Sequence, residues 1–68
     1  MVGIFRYKRG LELVAVSQTE ETAIQALYNK YASDSEKEWF SPREWWEHGR
    51  KYCNGAPQCY EIKPVQEM

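Results

Sequence analysis

The chain has 68 residues and a formal net charge of −1, from nine Lys/Arg against ten Asp/Glu. That length allows one small domain spanning 1–68, which buries only ~60% of the surface its unfolded form exposes. The balance of charge excludes an acidic DNA mimic and lacks the positive footprint of a nucleic-acid binder. No apolar run approaches the ~20 residues of a membrane span.

The opening MVGIFRYKRG places basic residues after a brief apolar patch, the reverse of a signal peptide. The expected compartment is therefore the cytoplasm, where the two cysteines stay as thiols. If the protein were exported, the turn N-G-A-P-Q between Cys53 and Cys59 would bring them together as a disulfide.

Val2–Tyr7 and Leu11–Val16 are rich in β-formers and predict an antiparallel hairpin, with Gly10 supplying the positive φ of its short loop. Their alternation is imperfect, because Ile4-Phe5 and Val14-Ala15-Val16 are consecutive apolar residues. Part of the hairpin is therefore covered on both faces, or one face meets a partner. Ser17 and Thr19 are competent N-caps for a helix over about 18–32, and Ser17 with Glu20 has capping-box spacing. Ile24, Leu27, Tyr28 and Tyr31 form its apolar stripe.

The polar stretch 32–38 reads as a loop. Ser41-Pro42-Arg43-Glu44 is a second capping box and predicts a short helix from Pro42 to about Lys51, weakened at its end by Gly49. Asn54-Gly55-Ala56-Pro57 is turn chemistry, and Cys59–Val65 alternates as a last strand with Pro64 at its edge or end. The expected fold is α+β, a three-stranded antiparallel sheet with two helices in the order β-β-α-α-β. The alternative is a small SH3-like β-barrel, with TAIQALY and the WFSP stretch as strands.

Residues 38–53, EWFSPREWWEHGRKYC, hold all three tryptophans, the only histidine and one cysteine. His48, Cys53 and Cys59 are three candidate zinc ligands, and Glu44, Glu47 or Asp34 would have to complete the four of a structural site. Their spacing is wider than a zinc knuckle, so the expectation is no metal. A Cys-His nucleophilic site would need an orienting group, a pocket and an oxyanion hole. Glu44 and Glu47 lie three apart on a helix surface, where a solvated pair is the plainer reading. With no phosphate loop or nucleophile motif either, neither enzymatic activity nor a cofactor is expected.

Arg6, Lys8 and Arg9 cluster at the hairpin tip and, with nearby aromatics, form the alternative site for nucleic acid. The tryptophans favour a protein partner instead. Adjacent helical side chains point about 100° apart, so Trp45 is assigned to the core and Trp46 to the surface, the alternative being that both rings pack internally around a thin core. Trp46, Arg50, Arg43 and Trp39 are the candidate partner-binding residues, since Trp and Arg are enriched at binding hot spots.

The hairpin running straight into a capped helix, FRYKRGLELVAVSQTEETAIQAL, and the closing CYEIKPV strand resemble the format of many small uncharacterised bacteriophage proteins. The resemblance implies a regulator or inhibitor that binds one host protein without catalysis, and it carries no residue roles.

Overall fold

A computed structural model describes residues 1–7, 9–52 and 56–65, with Lys51, Tyr52 and Ala56 described in backbone only. The chain order is β1 (Val2–Tyr7), β2 (Leu11–Ser17), α1 (Glu20–Tyr31), α2 (Asp34–Trp39), α3 (Pro42–Tyr52), α4 (Ala56–Cys59) and β3 (Tyr60–Pro64). The three strands form an antiparallel sheet in the order β2-β1-β3. The α+β class and the three-stranded sheet are as expected from the sequence. Four helices stand among the described residues in place of two, and TAIQALY lies within α1, which rules out the barrel.

Thr19 caps α1, accepting from the Thr22 backbone while the Thr22 hydroxyl accepts from the Thr19 N–H. The capping box thus sits two residues later than Ser17 and Glu20, and the Ser17 hydroxyl instead meets that of Thr22 at 2.6 Å. Ile24, Leu27 and Tyr28 of the stripe are buried, and Tyr31 is left exposed. The stretch expected as a loop contains α2, whose signal is a third capping box between Ser33 and Glu36. The Ser41–Glu44 box starts α3 as expected. Bonding to Ser41 holds the Glu44 carboxyl below its ordinary pKa.

The helices cover one face of the sheet. Ile4 on β1 and Tyr60 on β3 join Ala23, Ile24, Leu27, Tyr28, Trp45 and Trp46 in a single core. Trp45 packs edge-on against Tyr28, with ring centroids 5.6 Å apart. Helix α3 lies between α1 and α4, and Gly49 is where α4 approaches it. A Cβ at Gly49 would stand 2.5 and 2.7 Å from the Cγ and Cβ of Pro57, whose ring cannot flex away. Gly49→Ala would gain up to ~1 kcal/mol in helix propensity but incur an overpacking cost of ~1–3 kcal/mol. The expected result is a melting temperature lowered by roughly 5–10 °C in a thermal melt followed by circular dichroism. An unchanged or raised melting temperature would contradict this packing.

Candidate functional site

The tryptophan-rich segment divides in a way the sequence did not predict. Trp46, expected at the surface, is buried with 6% of its area exposed, whereas Trp39 is 77% exposed. The cause is α4. Trp46, Gly49 and Arg50 share one face of α3, and that face packs on α4 and the start of β3. The Arg50 guanidinium lies 5.1 Å from the Trp46 ring centre and donates to the carbonyls of Pro57 at 3.0 Å and Tyr60 at 2.5 Å. Arg50 is thus a clamp between α3, α4 and β3, held through one terminal nitrogen of its guanidinium.

Arg43 is also engaged within the molecule. Its guanidinium reaches Glu20 at 3.2 Å, pairs with Glu21 and lies 4.0 Å from Glu47, joining the first turns of α1 and α3. Such exposed pairs contribute ~0–1 kcal/mol each. Arg43, Trp46 and Arg50 line one open depression of about 610 Å³ with Glu20, Glu44 and Glu47, and Trp39 is not part of it. Trp39 stands on α2, which buries none of its own side chains. The helix is held instead by the Tyr28 hydroxyl donating to the Phe40 carbonyl at 2.5 Å and the Trp45 indole donating to Glu36 at 3.0 Å.

Among the described residues, a group of exposed apolar side chains lies on the face of the sheet that the helices leave open. Leu11, Leu13 and Val16 of β2 and Tyr7 of β1 are 42%, 52%, 53% and 50% exposed. Their register places all four on the face that the helices leave open, together with Phe5. Gly3 confirms the face: a Cβ there would meet Leu13, Phe5 and Val65 side chains, each at 2.9 Å. The third strand adds Glu61 and Lys63, which pair at 3.7 Å. This explains the broken alternation of the sequence, since Ile4 enters the core while Phe5 lies on the open face. Val14 has no partner in the β1–β2 register, so a bulge turns Val14 and Ala15 toward the helix side.

The Tyr7 hydroxyl donates to Glu61 across the open face. That bond is the chief reason the Glu61 carboxyl titrates below its ordinary value, with Lys63 adding to the effect. The same bond is the chief reason the Tyr7 phenol is raised. The contribution of Glu61 is present above its unfolded pKa of ~4.3 and is lost as pH falls through the depressed folded value. That of Tyr7 is present below ~10 and is lost as pH rises through the raised folded value. Tyr7→Phe should therefore move the Glu61 titration upward in a carboxyl-detected NMR experiment. A titration that does not move would show that Tyr7 and Glu61 are uncoupled.

The remaining candidates are dispersed. Arg6 points to the helix side and pairs with Glu12 at 3.6 Å, Arg9 is exposed at a φ of 58°, and Lys8 lies outside the described residues. His48 stacks on Phe40 with ring centres 4.8 Å apart, and Cys59 is exposed on α4. Cys53 lies outside the described residues, and with it the proposed ligand set and disulfide. Among the described residues, no group of three or more His, Cys, Asp or Glu is placed to hold a metal ion. No described helix is long and apolar enough to cross a membrane. Comparison with protein-family models, curated proteins and solved structures finds no match to this chain.

Proposed function

We propose that this protein is a non-catalytic binder that modulates a larger protein partner by occupying its surface, and that it docks through the open face of its sheet. One observation carries the reading: Leu11, Leu13, Val16 and Tyr7 form a contiguous apolar patch on an uncovered sheet. Exposed apolar area is what association removes from water, and a patch of this kind marks an interaction site. The depression along α3 offers less, because Trp46 is buried beneath it and Arg43 and Arg50 are bonded internally. Trp39 is a second exposed anchor, on the helical side.

An inhibitory outcome, with a phage protein acting on a host protein in the cytoplasm, is the form of this reading that the resemblance in format implies. Nucleic acid has less support, since Arg6 is paired with Glu12 and lines the seam on the helix side. The test is affinity capture from the source cell or its host, with nuclease treatment, using wild type and the Leu13→Glu/Val16→Glu double variant. A discrete protein retained by wild type and lost by the variant is expected. Equal capture by both, or capture that vanishes with nuclease, would overturn the proposal.

A further inference from the structure

On the other side of β2, the seam between sheet and helix is left open. A cavity of about 210 Å³ lies there, floored by Ile4 and Leu27. Its walls are Val14 and Ala15 on β2 and Ala26 on α1, all exposed although they stand between the two layers, and two of the three are alanine. Packing alone would favour larger side chains at such a seam, because voids forfeit dispersion contacts. The polar groups gather on one side, where Arg6 and Lys30 line the cavity and the hydroxyls of Tyr31 and Tyr60 meet at 2.6 Å.

Arg6 presents its guanidinium to this cavity. Its Nε is buried, without a hydrogen-bond partner among the described residues and with no surface open to the cavity, so contact with a ligand falls to the terminal nitrogens. The outer end of its guanidinium is shared with the exposed Glu12 carboxylate at 3.6 Å, a contact of the kind a ligand can replace. Glu12 offsets one of the two cations, so the mouth keeps one net positive charge.

We propose that this seam binds a small amphiphilic carboxylate, its apolar body between Ala15 and Ala26 and its head on Arg6 and Lys30. The cavity is smaller than the ~300–1,000 Å³ of drug-sized sites, which sets a short chain or single ring as the ligand class. An apolar wall with a few convergent polar groups is the usual construction of such sites. The site is separate from the open face, so a ligand could occupy it while a protein partner is docked.

The test uses hexanoate as probe, with hexan-1-ol and acetate as controls, and follows backbone amide shifts by NMR. Saturable shifts around Ala15, Ala26 and Lys30 are expected with hexanoate, and none that saturate with acetate. Hexan-1-ol, which lacks the charge, should bind about tenfold more weakly, as should hexanoate to Arg6→Gln or Lys30→Gln. Ala26→Leu should fill the seam and abolish binding while the melting temperature holds or rises, and Ala15→Leu is the substitute if that variant does not fold. No saturation with hexanoate, equal affinity for hexan-1-ol, or undiminished binding to the filled variant would each overturn the assignment.

Discussion

Trp46→Ala is expected to abolish cooperative folding. The indole is almost fully buried between α3 and the α4–β3 segment, and it is the platform on which the Arg50 guanidinium lies. Truncating a buried tryptophan costs ~3–5 kcal/mol, and the core of a domain this small supplies only ~3–5 kcal/mol in net stability. Loss of the stacked guanidinium adds ~0.5–2 kcal/mol. Trp45→Ala should be as severe, since it removes the edge contact with Tyr28 and the indole bond that fixes α2 through Glu36. Trp39→Ala touches no buried surface and should stay within about ±0.5 kcal/mol of wild type. Urea titrations followed by circular dichroism separate these cases. A Trp46→Ala protein with a wild-type midpoint would place this indole outside the core.

The second large effect concerns binding. Leu13 and Val16 are adjacent on the open face and half exposed, so glutamates there can remain hydrated in the free protein. In a complex the same carboxylates would be desolvated against apolar surface without a partner. Burying a Val or Leu side chain contributes ~1.5–3 kcal/mol, of which ~2 kcal/mol is about thirtyfold in affinity, and a buried unpaired charge makes the loss greater. The double variant is thus expected to fold like wild type and to bind its partner at least about thirtyfold more weakly. Unfolding by the double variant would show that these side chains serve the fold, and in that case Val16→Glu alone, further along the strand, still tests binding.

The sequence made some of this legible and concealed the rest for identifiable reasons. Helix α1 was readable because a cap, a dipole-matched first turn and an apolar stripe all agree over Glu20–Tyr31. Helix α2 was not, because it has no buried side chain and so no stripe, although Ser33 and Glu36 carry the same capping signal as Ser41 and Glu44. The four residues of α4 were hidden by proline, which reads as a turn but is tolerated in a first helical turn. That one omission misplaced Trp46. Without α4, the Trp46 side of α3 faces solvent; with it, Trp46 and Arg50 become structural and Trp39 is the exposed indole.

The hairpin signal is met on one face. Its broken alternation called for a second cover or a partner on one face, and the helices supply cover to the Ile4 side only. The alternation names no occupant for the other side, because apolar side chains specify burial without specifying what buries them.

Site-specific photocrosslinking within the source cell or its host tests that face most directly. A photoreactive residue at Val16 on the open face is compared with one at Gln25, exposed on α1. A discrete protein adduct is expected from position 16 and is suppressed by Leu13→Glu, with none of that mass from position 25. No adduct at position 16, or the same adduct from both positions, would contradict the open sheet face as the docking surface.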